Sequence, residues 1–131
     1  MSEMFLPRFM IAAPNSGSGK TTVVCALLKA LLDQEYKVAA FKSGPDYIDP
    51  MFHSRVIGAK SRNLDLFMLG RETTKYLLAK NAGDCDIAVL EGAMGFYDGM
   101  GKTEQCSAYD LARVTKTPVI LVINGKGAAL S

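Results

Sequence analysis

The densest chemistry in the sequence lies at residues 15–22, NSGSGKTT. Gly17 and Gly19 let backbone N–H groups turn inward around an anion, Lys20 carries a cation on an arm long enough for terminal phosphates, and Thr21 offers a hydroxyl to Mg2+. The segment follows a short apolar run at 8–13 and opens an apolar helical pattern at 21–34, so a helix N-terminus adds its partial positive charge at the same spot. The phosphate-loop pattern G-x-x-x-x-G-K-[ST] is met except at its first position, where Pro14 stands in place of glycine. A flexible Gly/Ser turn would not account for Lys20 and Thr21 at the start of the helix. Asn15, Ser16, Gly17, Ser18, Gly19, Lys20, Thr21 and Thr22 are therefore the candidate phosphate-binding residues.

A phosphate loop that works with Mg2+ needs a carboxylate, because the ion is hard and octahedral and takes one or two acidic ligands. Glu91 directly follows the apolar run IAVL, where such an acid belongs; a helix cap or a solvated carboxylate is the alternative. Asp46 is a second candidate metal ligand, with less support from spacing. Lys42 ends an apolar run on the side facing the phosphates, although a strand-end lysine reaching for solvent would look the same.

These groups need elements to position them. Short apolar runs at 8–13, 37–42, 86–90 and 118–123 read as strands, the last apolar enough to be buried on both faces. Helical patterns occupy 21–34, 72–81 and 107–116; Gly83 stops the second, and Ser107 with Asp110 makes a capping box for the third. Residues 44–63 are irregular and read as a functional loop with one short helix. Alternation of this kind builds a parallel sheet with right-handed crossovers and ligands beyond the carboxyl ends of the strands. Polar clusters at 15–21, 43–49, 91–102 and 124–127 each follow a strand and converge on one rim. A sheet that stops after the last of these strands would leave an edge uncovered, which points to a truncated piece of something longer.

Composition narrows the class. A chain of 131 residues with 49% hydrophobic and 21% charged side chains is one globular domain and not a disordered or low-complexity one. Net charge is +2 and the basic residues are scattered, which argues against a nucleic-acid arm or a membrane patch. No apolar stretch has the length of a membrane span, and the N-terminus lacks the layout of a signal peptide. Cys25, Cys85 and Cys106 lie far apart with one histidine, His53, in the chain, so a zinc site is not expected and reduced, cytoplasmic thiols are.

Read together, FKSGPDYIDPMFH (41–53), GSGKTT (17–22), SRNLD (61–65) and EGAMGFYDG (91–99) resemble the N-terminal synthetase domain of the cobyrinic acid a,c-diamide synthase family, over about 9–124. The resemblance implies a P-loop NTPase-like, three-layer α/β fold with a mainly parallel sheet, similar to dethiobiotin synthetase. The whole 131-residue chain would be the N-terminal part of that ATP-binding domain. It implies ATP and Mg2+, phosphorylation of a tetrapyrrole side-chain carboxylate in cobalamin biosynthesis, and displacement of the phosphate by ammonia from glutamine. The ammonia source would be a C-terminal glutaminase domain with a nucleophilic cysteine, absent here. None of Cys25, Cys85 or Cys106 has that setting, and all three read as structural.

Position by position, the resemblance implies that Lys20 and Thr21 hold phosphate and Mg2+, with Asp46 and Glu91 as further metal ligands. Lys42 would contact the transferring phosphoryl group; Tyr47, Ile48 and Asp49 would lie near the substrate carboxylates; and Asp98 would serve the acyl-phosphate step. Arg62 is placed to pair with an acidic substrate arm. A carboxylate acceptor is already deprotonated at pH 7, so His53 reads as loop packing rather than a general base, and Met94 and Met100 as apolar packing. A homodimer is compatible with this reading. The alternatives are a stand-alone dethiobiotin synthetase-like ligase, against which GPDYIDP and YDG speak, and a ParA- or MinD-like switch ATPase. The latter usually has an extra lysine early in the loop, where this chain has Pro14, Asn15 and Ser16. Asn124-Gly125-Lys126-Gly127 does not meet the N-K-x-D pattern of a GTPase.

Overall fold

Runs of five or six apolar residues are too short for helices and long enough for strands, and the chain uses them so. The computed structural model describes residues 6–13, 19–43, 60–64, 66–92 and 108–123. In chain order the elements are β1 (Arg8–Ala12), α1 (Lys20–Asp33), β2 (Val38–Ser43), β3 (Lys60–Leu64), α2 (Leu66–Ala82), β4 (Ile87–Glu91), α3 (Ala108–Thr115) and β5 (Val119–Leu121). The strands form one sheet of order β3-β2-β4-β1-β5, and every pair in it is parallel.

The chain moves from β1 past β4 to β2 and on to the β3 edge, then reverses toward β4 and β5. Right-handed crossovers put the helices before and after such a reversal on opposite faces, and the packing agrees. Val24 and Leu28 of α1 join Ile11, Val38, Ala40 and Val89 on one face. Leu78 and Ala82 of α2, with Ala108, Leu111 and Ala112 of α3, cover Met10, Ala39, Phe41, Leu64 and Leu90 on the other. Two apolar layers against a central sheet give the three-layer α/β architecture expected from the sequence.

Three expectations need correction. The loop expected over 44–63 ends in a strand, β3, which escaped notice because KSRNL offers one apolar side chain to the core, Leu64. An edge strand with charged residues is the usual way to blunt a sheet edge, so its pattern is not that of a buried run. Helix α2 begins at Leu66 rather than 72, with a break at Gly70 (φ 78°, ψ 169°), after which the buried Thr74 hydroxyl donates to the Gly70 carbonyl at 2.6 Å. Finally, β5 is not buried on both faces. It is an edge strand paired with β1, and Ile120 and Leu121 are about half exposed (51% and 50%). The capping box at Ser107 and Asp110 rests on Ser107, which lies outside the described residues.

A contact that no motif announced ties the start of the sheet to its far helix. Arg8 donates from Nε and Nη2 to the Thr115 carbonyl (3.1 and 2.8 Å), from Nη2 to Lys116 (3.3 Å) and from Nη1 to Leu6 (2.9 Å). A guanidinium on the last carbonyls of α3 satisfies acceptors that the helix leaves open and complements its dipole. Replacing Arg8 with Ala should cost about 1.5–3 kcal/mol, the range for hydrogen bonds to a charged group. The exposed Lys29–Asp33 pair (2.9 Å) should be worth under about 0.5 kcal/mol. Urea unfolding of Arg8→Ala and Asp33→Ala checks the contrast.

Candidate functional site

Where the strand order reverses, the connections leaving two neighbouring strands diverge to opposite faces and open a crevice at their carboxyl ends. Here the neighbours are β1 and β4: the loop after β1 leads to α1 on one face, and the loop after β4 leads to α3 on the other. Gly19 caps α1 in a left-handed conformation (φ 83°, ψ 15°) that glycine adopts without steric cost, and its carbonyl accepts the Val23 N–H at 3.1 Å. Lys20 is thereby delivered into the crevice, where its ammonium donates to the Gly92 carbonyl at the end of β4.

Gly92 has a packing reason to be glycine. Its N–H bonds to the Ile11 carbonyl at 2.9 Å, and a Cβ added there would lie 2.8 Å from the Ala108 Cβ and 3.4 Å from that of Ala12. The glycine lets β1, β4 and α3 approach closely under the crevice. Sequence reasoning passed over this residue; the available signal was its position directly after a buried strand, where a small residue marks close backbone approach.

A polar row runs across the sheet at the same level. Register places Asn63 beside Lys42, Lys42 beside Glu91, and Glu91 beside Ile11. Ile11 and Ala40 belong to the α1 face, so alternation puts Lys42, Glu91 and Asn63 on that face as well. Lys42 Nζ lies 3.1 Å from Glu91 Oε2, and the side chains are 5% and 1% exposed. The Thr21 hydroxyl donates to the same oxygen at 3.2 Å. Buried charges of this kind persist only when compensated. The row brings three sequence-selected residues, Thr21, Lys42 and Glu91, onto one carboxylate oxygen, with Lys20 close by at the neighbouring residue.

The donor set suits Mg2+. A threonine hydroxyl and a carboxylate are hard oxygen ligands, already converging within hydrogen-bond distance. Among the described residues no group of three or more His, Cys, Asp or Glu side chains exists to enclose a metal. An ion here would thus depend on phosphate oxygens and water for its remaining positions, as Mg2+ usually does.

Other candidates fall elsewhere. Thr22 is on α1 and exposed. Arg62 pairs in register with Phe41 and shares the face of Leu64, opposite to the row. It lines a cavity of about 440 Å3 with Lys37, Lys80, Asp84 and Cys85, around the amino-terminal end of β2, so the structure does not bring it to Glu91. Cys25 and Cys85 are half-buried and form no disulfide. Asn15, Ser16, Gly17, Ser18, Asp46, Tyr47, Ile48, Asp49, His53, Met94, Asp98, Met100 and Cys106 lie outside the described residues.

A parallel sheet with a lysine delivered from a glycine-capped helix to its switch point, beside a buried strand-end acid, defines a nucleotide-binding α/β domain of the P-loop class. Residues 9–126 match the CobQ/CobB/MinD/ParA nucleotide binding domain, and the chain belongs to that family. It is 52% identical over 124 residues to a cobyrinate a,c-diamide synthase of Thermoplasma volcanium, covering 95% of this chain and 27% of that protein. It is 47% identical over 119 residues to one of Saccharolobus solfataricus, with 91% and 27% covered. With a hydrogenobyrinate a,c-diamide synthase of Streptomyces coelicolor it shares 45% identity over 127 residues, with 96% and 26% covered. The chain thus spans about a quarter of the length of these relatives. Among the described residues no helix is long and apolar enough to cross a membrane.

Gly92→Ala should destabilise the protein by about 1–3 kcal/mol, the usual cost of overpacking. Gly92→Ala with Ala108→Gly should recover most of that loss, because the 2.8 Å clash is with the Ala108 Cβ. Thermal unfolding of the single and double variants measures it, and no recovery would mean that the close approach does not set the requirement for glycine.

Proposed function

We propose that this chain is the ATP-binding, carboxylate-activating part of a glutamine-dependent amidoligase that acts on the a and c side chains of a corrin such as cobyrinate. The observation that carries the reading is the convergence of Thr21 and Lys42 on Glu91 Oε2, with Lys20 beside them. The names of relatives at 45–52% identity support the substrate class. They favour amidation over the switch ATPases that share the family.

The chemistry asked of these residues is positioning and charge neutralisation. A substrate carboxylate oxygen attacks the γ-phosphorus of ATP, the bond to the β,γ-bridging oxygen breaks, and ADP leaves with that electron pair. Ammonia then attacks the acyl carbon, inorganic phosphate departs, and a proton is lost to give the amide. Lys20 transfers its hydrogen bonds from the Gly92 carbonyl to the terminal phosphates. Lys42 stabilises the charge on the phosphoryl oxygens in flight. The Thr21 hydroxyl and the Glu91 carboxylate hold Mg2+, with Asp46 as a further ligand; the ion supplies charge neutralisation on the phosphates. Tyr47, Ile48 and Asp49 orient the acceptor carboxylate, and Asp98 serves the acyl-phosphate step; Arg62, on the opposite face of the sheet, has no part in this scheme. Ammonia comes from glutamine in a further domain of a cytoplasmic enzyme.

In the full-length enzyme, Lys20→Ala and Glu91→Ala should each lower glutamine-dependent amidation of cobyrinate by about 10²–10³-fold or more, the loss typical of removing one preorganised charge-stabilising group. Amide formation followed by mass spectrometry measures this, with thermal unfolding to confirm folded variants. Unchanged turnover would overturn the site assignment. The 131-residue chain alone should yield no amide above background.

A further inference from the structure

The polar row contains one acceptor that the proposed chemistry leaves unused. Asn63 Oδ1 is buried and has no hydrogen-bond partner among the described residues. It sits on β3 in register with Lys42, which is itself in register with Glu91. The lysine thus stands between a carboxylate that it pairs with and an amide oxygen that lacks a donor. Native proteins rarely bury an unsatisfied acceptor, and one that lies in a site calls for an explanation such as a role in catalysis.

The pairing of Lys42 conflicts with metal binding at the same carboxylate. Its ammonium is 3.1 Å from Glu91 Oε2, the oxygen that also receives the Thr21 hydroxyl. Mg2+ takes its ligands at about 2.0–2.1 Å in near-octahedral geometry, so an ion held by Thr21 and Glu91 would press against that ammonium. Two cations cannot share the oxygen in a low-dielectric setting without strong repulsion. Lys42 is fixed at its Cα between two hydrogen-bonded neighbours, and on the β3 side Asn63 offers its head group an acceptor.

Resting on the reading above, we propose that Lys42 is the built-in counter-cation of the metal-site carboxylate, that Mg2+ entering with nucleotide displaces it, and that Asn63 is the positioning residue that receives it. An ammonium has three donors. One directed to Asn63 Oδ1 leaves two for a phosphoryl oxygen, so the exchange turns a structural ion pair into a positioned catalytic cation only when metal and nucleotide are present. The charge on Glu91 is compensated at every stage, first by Lys42 and then by the metal.

The test is a double-mutant cycle in the full-length enzyme, with Mn2+ as the probe, read by electron paramagnetic resonance at saturating ADP. Thermal unfolding confirms that each variant is folded. Lys42→Met should tighten Mn2+ binding at least fivefold, because the competing ammonium is gone. Asn63→Ala should weaken it at least threefold, Asn63→Asp should restore it, and Asn63→Ala should have no effect in the Lys42→Met background. Unchanged Mn2+ affinity in Lys42→Met, or an equal Asn63→Ala effect with and without Lys42, would overturn the exchange. Nucleotide binding is measured in the same samples: wild-type enzyme that binds no ADP would instead overturn the functional reading on which the exchange rests.

Discussion

One buried carboxylate organises the rim. Glu91 ends an apolar strand with 1% of its surface exposed, so its charge has to be answered by the protein itself. Lys42 answers it because β2 is the hydrogen-bonded neighbour of β4 and the register sets the two residues side by side. Thr21 answers it from the first turn of α1, where its hydroxyl reaches the carboxylate. Removing one member of such a pair leaves an uncompensated buried charge, at a cost of about 3–5 kcal/mol. The strand order and the site are therefore one requirement, since a different neighbour for β4 would leave Glu91 without its lysine.

Much of this was legible from local pattern. Strands β1, β2 and β4 are buried on both faces, and continuous apolar runs such as IAVL follow directly from that. β3 was not legible because Leu64 is its one apolar residue and its remaining residues have the polar character of an edge. The early turn of α2 was hidden by Gly70, which reads as a stop but serves as a break within a longer element. The exposure of β5 was misjudged for a different reason. Apolar character says that a strand can be buried, whereas a neighbour on each side has to exist for it to be so, and that is a property of topology.

For the site, residue type and spacing found Lys20, Thr21 and Glu91, because each belongs to a local motif with a mechanical purpose. Pairing across strands was beyond reach. That Lys42 lies against Glu91, that Asn63 lies on its other side, and that Arg62 faces away all follow from the register of β2 with its neighbours, where a shift of one residue would exchange the faces. For Gly92 the sequence offered only its place after a buried strand, since the atom that requires the glycine, the Ala108 Cβ, comes from a helix distant in sequence.

The clamp between Arg8 and Thr115, 107 residues apart in sequence, bears on how the molecule is made. Of the five described strands β1 is made first, and both of its neighbours in the sheet come much later: Arg8 pairs with Ala88, and Met10 with Val119. At a synthesis rate of about 5–20 residues per second, roughly 5–20 s pass between the emergence of β1 and that of β5. Through that interval Met10 and Ile11, both fully buried in the finished protein, have no strand on the β5 side to cover them. Of the two strands that flank the crevice, β1 is thus made well before the neighbours that enclose it. The segment that leads into the phosphate loop therefore waits for its strand partners while most of the sheet is being made.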